Sequence, residues 1–146
     1  MIKLNIDLPV RGYPVYIDDS YESLGSMMDR SGLNGKAVLI TDKNVDRLQG
    51  EELAKGFEKG GREILKYVIE PGEKSKNLET IQQIYGYLMD CRLDRSSTLI
   101  ALGGGVTGDI AGFAAATFLR GINFVQVPTS LLAQADSSIG GKVGVD

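Results

Sequence analysis

The sequence predicts an α/β fold, in which a mostly parallel β-sheet carries helices on both faces and an N-terminal hairpin lies at one edge. From Lys36 onward, apolar runs typical of strands alternate with helical patterns. Such alternation is typical of parallel strands joined by right-handed crossovers. In residues 98–118 an apolar run enters three consecutive glycines and then a segment rich in small residues. That order indicates a strand, a tight turn and a closely packed helix.

The N-terminal segment predicts a hairpin followed by one helix. Residues 2–8 alternate apolar and polar side chains, and residues 13–18 follow after a proline and a glycine. This pattern favours two antiparallel strands joined by a turn. Asp19 and Glu22 resemble a helix cap, and the apolar residues that follow fall on one helical face until Gly32.

The rest of the chain alternates strands and helices. The predicted strands cover residues 36–41, 63–69, 98–102 and 123–127. The predicted helices cover residues 44–59, with a possible interruption at Gly50, about residues 77–91, residues 106–118, and a segment starting near Ser130. Short apolar runs between helical patterns favour buried parallel strands.

Composition limits the possible functions. The 146 residues predict one domain, and the formal charge of −3 provides no broad attraction for nucleic acid or for an anionic membrane. The apolar region at residues 98–119 contains glycines and Asp109, so we do not expect it to span a membrane. The chain has one cysteine and no histidine. We therefore expect a cytoplasmic protein, with any metal and acid–base chemistry supplied in part by another segment.

The glycine turn is the strongest candidate for a ligand site. Gly103, Gly105 and Gly108 follow a strand and open a helix, and the start of a helix offers unpaired N–H groups and a positive dipole to a phosphate. The spacing matches the dinucleotide pattern GxGxxG, but no acidic residue follows at the usual distance, where Pro128 stands. A tight turn that lets helix and sheet pack closely remains the alternative.

Further polar segments follow the other parallel strands. Asp42 and Asn44 come after one strand, residues 71–76 (PGEKSK) after the next, and Thr129 and Ser130 after the last. Ligands in an open parallel sheet bind beyond the carboxyl ends of the strands, so these loops and the glycine turn could form one site. Each has a simpler explanation as a helix cap or a solvated loop.

The segments GGGVTGDIAGFAAATFLRGI (103–122) and QVPTSLLAQADSSIGGKVGVD (126–146) strongly resemble the N-terminal domain of the 3-dehydroquinate synthase family. TDKNV (41–45) and PGEKSK (71–76) fall where that family carries nucleotide-contacting loops. The resemblance implies a Rossmann-like domain. It also implies that residues 1–146 are the NAD-binding N-terminal domain of a larger two-domain enzyme whose helical C-terminal domain is absent here.

The resemblance further implies an NAD-dependent and zinc-dependent lyase of the shikimate pathway. That family converts 3-deoxy-D-arabino-heptulosonate 7-phosphate, a phosphorylated sugar acid, to 3-dehydroquinate and phosphate. Its zinc, or another divalent metal, is held by a glutamate and two histidines beyond this chain, so we expect no metal ligand here and no turnover by this chain alone. The resemblance also suggests a homodimer.

The resemblance assigns site residues position by position. Those implied to bind the cofactor are Asp42 and Asn44 at the adenosine, Gly72, Glu73 and Lys76 around the ribose, Gly104, Gly105, Val106 and Gly108 around the pyrophosphate, Asp109 at the nicotinamide ribose, and Thr129, Ser130 and Lys142 in support. Asp136 and Lys142 are implied to face the substrate and to be catalytic. Lys142 follows two glycines and is a cation able to meet a phosphorylated, carboxylated substrate.

Three alternatives remain open at this point. Other sugar-phosphate cyclases, such as those that make deoxy-inosose or valiolone skeletons, resemble the chain closely. Metal-dependent polyol dehydrogenases share the overall design and a GGG turn. A non-catalytic nucleotide-binding module would also fit a chain without histidine.

Overall fold

The structure is a computed structural model that describes all 146 residues. The strands are β1 Ile2–Ile6, β2 Tyr13–Ile17, β3 Ala37–Asp42, β4 Ile64–Ile69, β5 Thr98–Gly103 and β6 Asn123–Pro128. The helices are α1 Leu24–Arg30, α2 Lys43–Val45, α3 Glu51–Lys59, α4 Leu78–Asp90 and α5 Gly105–Thr117. Shorter segments are the π-helical turns Asp46–Gly50 and Ala133–Ser137 and the 3₁₀ turns Glu73–Ser75 and Phe118–Arg120. No helix combines the length and the apolar character needed to cross a lipid bilayer.

The main sheet has four strands, all parallel, in the order β4-β3-β5-β6. This confirms the predicted α/β fold. The chain places β4 on one side of β3 and then crosses to place β5 on the other side. A reversal of this kind opens a crevice between the carboxyl ends of the two central strands.

The predicted hairpin is confirmed, but it does not extend the main sheet. β1 and β2 pair antiparallel, with Ile2 opposite Ile17 and Ile6 opposite Tyr13. They form a two-stranded sheet of their own, which corrects the expectation of a hairpin at one edge of the main sheet. A side chain of the hairpin contacts the C-terminal segment: the Tyr13 hydroxyl of β2 accepts a hydrogen bond from the Gly140 N–H at 3.0 Å.

The core has two layers, one on each face of the sheet. Alternate residues of β5 divide between them, because successive side chains of a strand point to opposite faces. Leu99 and Ala101 pack with buried residues of α4 and α5, whereas Ile100 and Leu102 pack with buried residues of α1 and α3. Helices therefore cover both faces, and the carboxyl ends of the strands stay open at one edge.

Two helical segments differ from their predictions, one at its start and one in its interior. The capping role expected for Asp19 is wrong: α1 begins at Leu24, and Asp18 is the residue that accepts from the Ser23 hydroxyl. The helix predicted for residues 44–59 is not broken at Gly50 but passes through a π-helical turn. A Cβ on Gly50 would lie 2.0 Å from Asp46 Oδ1, so this glycine makes room for that carboxylate.

Candidate functional site

The carboxyl ends of β3 and β5 lie side by side at the centre of the open edge. Thr41 of β3 pairs with Leu102 of β5, and Gly103 pairs with Pro128 of β6. Asp42 and Gly103 are therefore the last residues of adjacent strands. The glycine turn, the segment after Asp42 and the loop after Pro128 all leave the sheet on the same rim, as the sequence predicted.

Helix α5 starts without a side-chain cap. Gly104 is its N-cap, in extended conformation, and no side chain accepts a hydrogen bond from a backbone N–H of the first turn. The turn is held by two backbone bonds, from the Gly108 N–H to the Gly104 carbonyl and from the Thr129 N–H to the Gly103 carbonyl, both 3.0 Å. The first N–H groups of a helix have no intrahelical acceptor. They form an anion cradle, defined here as residues 104–106.

The cradle owes its open space to two glycines. A Cβ on Gly104 would lie 3.5 Å from Ser130 Oγ, and a Cβ on Gly105 would lie 3.4 Å from Ser137 Oγ. These are ordinary contact distances, so side chains at either position would fill the space between the turn and the two serines. The residues present fit a group that binds through backbone amides, such as a pyrophosphate.

The flanking glycines have a different role, which is packing. A Cβ on Gly103 would lie 2.6 Å from Thr107 Oγ1, and a Cβ on Gly108 would lie 2.9 Å from Gln126 Oε1. Real Cβ atoms essentially never approach other heavy atoms below 3.0 Å. Gly103 and Gly108 therefore allow close packing, which was the alternative explanation for the glycine turn, while Gly104 and Gly105 leave the helix start open.

Asp42 caps the helix that follows it. Its Oδ1 accepts from the N–H groups of Asn44 at 2.8 Å and Val45 at 3.1 Å. Its Oδ2 accepts from the Thr107 hydroxyl at 3.4 Å, which joins the end of β3 to the first turn of α5. Asn44 itself is exposed. The simpler explanation for Asp42 is therefore correct, and one carboxylate oxygen still faces the cradle helix.

Lys76 and Asp109 form an ion pair beside the cradle. Lys76 Nζ lies 2.9 Å from Asp109 Oδ2 and 3.5 Å from Glu73 Oε1. The hydrogen bond to Asp109 raises the pKa of Lys76 above its ordinary value. Asp109 lies beyond the first turn of α5, which contains no acidic residue. The loop turns at Gly72, whose φ of 99° lies in the left-handed region that favours glycine.

The loop after β6 closes the other side of the cradle. Thr129 is partly buried and its N–H bonds the glycine turn. Ser130 Oγ accepts from the Ala133 N–H at 3.3 Å and so caps the short helical segment that follows. Both residues sit against the cradle, as predicted, and Ser130 also has the capping role named as its alternative.

The structure does not bring the two substrate-side candidates into the cradle. Asp136 and Lys142 are both exposed, and the side chain of neither takes part in a hydrogen bond or an ion pair. Val106 is the third residue of the cradle and is partly buried. Residues 1–146 contain no group of three or more aspartate, glutamate, cysteine or histidine side chains arranged to hold a metal ion.

Sequence reasoning missed three hydroxyl residues at this edge. Thr107 is buried and bonds Asp42. Ser137 lies against Gly105. Thr41 Oγ1 is buried without a hydrogen-bond partner. The signal for Thr107 was available, because a hydroxyl residue in the first turn of a helix that follows a strand often bonds a neighbouring polar group.

Comparison with known proteins gives a consistent result. The sequence profile described as 3-dehydroquinate synthase N-terminal matches residues 66–146, which is more than half of the chain. The 3-dehydroquinate synthase of Acetivibrio thermocellus is 62% identical over 146 residues, which cover 100% of this chain and 41% of that protein. The chain therefore spans about two fifths of the length of this relative.

Solved structures of related cyclases share the fold over nearly the whole chain. A 2-deoxy-scyllo-inosose synthase, solved with carbaglucose-6-phosphate, NAD⁺ and Co²⁺, is 27% identical with a TM-score of 0.89, covering 99% of this chain and 40% of its own. The 2-epi-5-epi-valiolone synthase ValA of Streptomyces hygroscopicus, solved with NAD⁺ and Zn²⁺, is 28% identical with a TM-score of 0.81, covering 97% and 39%.

Proposed function

This chain belongs to the 3-dehydroquinate synthase N-terminal family, and from that premise we propose that residues 1–146 are the NAD-binding domain of a larger two-domain lyase. The proposed reaction converts 3-deoxy-D-arabino-heptulosonate 7-phosphate to 3-dehydroquinate and phosphate. The high identity to a relative of that name supports this substrate over those of other sugar-phosphate cyclases. A cytoplasmic homodimer whose second domain completes the site is part of the proposal.

The observation that carries the proposal is the uncapped start of α5 at the centre of the open edge. Unpaired N–H groups at a helix start, beside the crevice between two central parallel strands, are where dinucleotides bind in sheets of this type. A buried or half-buried helix start without a cap lowers stability unless a ligand satisfies it. A pyrophosphate provides that satisfaction.

The residues around the cradle have separate proposed roles toward NAD. The amides of Gly104, Gly105 and Val106 hold the pyrophosphate. The Asp42 oxygen that is free of the cap, together with Asn44, receives adenosine-side hydroxyl groups, since a carboxylate accepts several hydrogen bonds at once. When bound, NAD supplies reversible hydride transfer to and from a substrate carbon.

The loop of Gly72 and Glu73 and the Lys76–Asp109 pair form the other proposed sugar contacts. Asp109 is a carboxylate near the proposed site of the pyrophosphate. The Lys76 ammonium, 2.9 Å from Asp109 Oδ2, offsets its negative charge. This arrangement lets Asp109 accept hydroxyl hydrogen bonds from a ribose without repelling the phosphates. Thr129 and Ser130 support the cradle from the loop after β6, and Gly108 gives α5 its close packing.

Asp136 and Lys142 are proposed to act on the substrate side. Lys142 is an exposed cation without an ion-pair partner, which suits it to bind a phosphate or carboxylate group. In the proposal Lys142 also contacts the cofactor, at the point where cofactor and substrate meet. Residues 1–146 contain no cluster of three or more potential metal ligands, and we derive no step through zinc.

The test has two parts, binding and turnover. Calorimetric titration of this chain with NAD is expected to show binding, and mixing it with the phosphorylated sugar acid is expected to release no phosphate. The full-length protein is expected to release phosphate without net formation of NADH. Lack of NAD binding by both proteins would refute the proposal, and net NADH formation from glycerol or a similar alcohol would favour a polyol dehydrogenase instead.

A further inference from the structure

Residues 138–146, called the strap here, cross α5 and connect three parts of the site. At one end the Gln126 side-chain amide donates to the Ser138 carbonyl at 3.1 Å. At the other end the Asp146 N–H donates to the Lys76 carbonyl at 3.1 Å. The strap has no regular secondary structure, so its course depends on these bonds and on side-chain packing between them.

The packing is concentrated at one point, where Val143 lies on Gly112 of α5. A Cβ on Gly112 would lie 2.3 Å from Val143 Cγ1, 3.1 Å from Val143 Cβ and 3.0 Å from Phe124 Cε1. A residue other than glycine fits there only if Val143 or Phe124 shifts. Gly112 and Phe124 therefore form a socket for Val143, and Val145 extends the contact onto the buried core.

Lys142 is the residue directly before the socketed valine. Gly140 and Gly141 precede it with φ of 96° and 71°, and a Cβ on either would meet nothing within 4 Å. The segment on the N-terminal side of Lys142 therefore makes no close packing contact, and its glycines leave the backbone conformationally free. The nearest hydrogen bond on this side is the one that the Gly140 N–H donates. The Val143 socket is the packing contact closest to Lys142.

We propose that Gly112 and Val143 are positioning residues, which fix the backbone of Lys142 so that its ammonium meets the anionic groups of the substrate. This inference rests on the proposed function, because that function places Lys142 at the substrate. A valine that only filled the core would affect stability when changed, but it would not change substrate affinity separately from NAD affinity.

The experiment uses the full-length protein, with four socket variants and one matched control. Gly112→Ala fills the socket, Val143→Ala empties it, the double variant does both, and Val143→Thr keeps the shape. Gly86→Ala is the control, because Gly86 is also in a helix and a Cβ there would meet nothing within 4 Å. Trypsin cleavage after Lys142, KM for the phosphorylated sugar acid, kcat and the Kd for NAD are measured.

We expect Gly112→Ala to raise both the tryptic cleavage rate after Lys142 and the substrate KM by about tenfold, within the range that overpacking produces. Its NAD Kd should change much less, by about twofold, because the amides that hold the pyrophosphate lie about two turns away on α5 and Lys142 is only one of the cofactor contacts. In the double variant the KM and the cleavage rate should return most of the way to the wild-type values, because Val143→Ala removes the Cγ1 atom that would lie 2.3 Å from the new Cβ. Val143→Thr, which keeps the shape but adds a hydroxyl group, should change the KM less than Val143→Ala does, and Gly86→Ala should match the wild type.

An unchanged KM in a folded Gly112→Ala protein would overturn the proposal, as would a double variant no better than the single one. Should Gly112→Ala fail to fold, Val143→Ala decides: faster cleavage with a raised KM supports positioning, and faster cleavage with an unchanged KM overturns it. A wild type that releases no phosphate would refute the proposed function. The tryptic comparison would then still show whether the socket fixes Lys142.

Discussion

Two helices start side by side at the centre of the open edge, and their first turns differ in how the N–H groups are satisfied. The helix that starts at Lys43 is capped by Asp42, whose carboxylate accepts two backbone bonds. Helix α5 starts at Gly105, and neither Gly104 nor any other residue caps it with a side chain. The N–H groups of the first helix start have side-chain acceptors within the chain, and those of the second have none.

The difference shows how one sheet edge separates stability from binding. A capping side chain is worth about 1 kcal/mol to a helix, so a glycine N-cap gives up part of that stabilisation in the free protein. It also keeps the helix dipole and N–H groups available to an anion.

Gly104→Asp should convert the open helix start into a capped one. The backbone at Gly104 is extended, with φ of −81° and ψ of −164°, which any residue can adopt. We expect NAD affinity to fall by at least about 100-fold, since the carboxylate takes the N–H groups and repels the pyrophosphate, while the melting temperature holds or rises slightly. Calorimetry and thermal unfolding check this. Gly104→Ser, which caps without charge, should weaken binding less, and wild-type affinity in Gly104→Asp would contradict an anion cradle.

Substitutions at Asp42 should separate capping from cofactor contact. Asp42→Asn keeps a good N-cap residue, so the free energy of unfolding should change little, whereas Asp42→Ala should lose about 1 kcal/mol. Both remove the carboxylate proposed to accept adenosine-side hydroxyls, so NAD should bind about tenfold more weakly to each, the usual effect of losing a charged hydrogen bond. Urea unfolding and NAD titration measure the two effects. Equal stability of the two variants would show that the cap contributes nothing.

Asn77→Ala tests a capped helix whose start follows the loop of Gly72, Glu73 and Lys76. Asn77 Oδ1 accepts from the Thr80 N–H at 2.9 Å at the start of α4, and its Nδ2 donates to the Lys74 carbonyl at 2.7 Å. The variant should lose about 1 kcal/mol of unfolding free energy and bind NAD no more than about threefold more weakly, since Asn77 is not itself a proposed cofactor contact. Urea unfolding and calorimetry give the two values. A large loss of NAD affinity here would mean that capping affects binding through general stability.

Lys76→Met should have the smallest effect, and it should depend on pH. The pKa of Lys76 is raised in the folded protein by Asp109, so the pair stabilises the fold below the ordinary lysine pKa of 10.5 and loses that contribution as pH rises through the higher folded value. The partly exposed pair should be worth no more than about 1 kcal/mol. The stability difference from wild type should therefore be constant from about pH 7 to 9 and vanish above the lysine range.

Urea unfolding across this pH range measures the difference, with Lys74→Met as the matched control in the same loop. Lys74 has no ion-pair partner, so its variant should follow the wild type at every pH. A Lys76→Met difference that grew with pH would contradict the assigned ion pair.

Local chemistry made the strands and the open edge predictable from sequence. Short apolar runs such as residues 98–102 form strands whose side chains are buried on both faces of the sheet. Their apolar pattern and the glycines beside them predicted the ends of the strands to within one or two residues. The carboxyl-edge rule brought Asp42, the glycine turn and Thr129 together, and the structure places them on one rim. To predict that the Thr107 hydroxyl donates to Asp42, one needs the order of the strands in the sheet, which the sequence pattern does not give.

Contacts between distant segments were not predictable. The Lys76–Asp109 pair and the Val143 socket on Gly112 each join residues more than thirty positions apart. Helical periodicity likewise does not indicate the π-helical turn at Asp46–Gly50 or the ion pair of Asp46 with Lys66 of β4 at 2.8 Å. The hairpin's separate sheet follows from tertiary packing, because its alternation specifies pairing with its own partner strand and not with a third strand.

The most direct measurement is a ¹⁵N–¹H spectrum of the glycine- and valine-labelled protein during titration with NAD. The amides of Gly104, Gly105 and Val106 should show the largest shifts, because they are to bond the pyrophosphate. The glycine amides of the Gly86 and Gly32 positions should stay unchanged as internal references. Saturating NAD that leaves the three cradle amides unmoved, or that shifts only residues remote from α5, would contradict the claim that this helix start is the cofactor site.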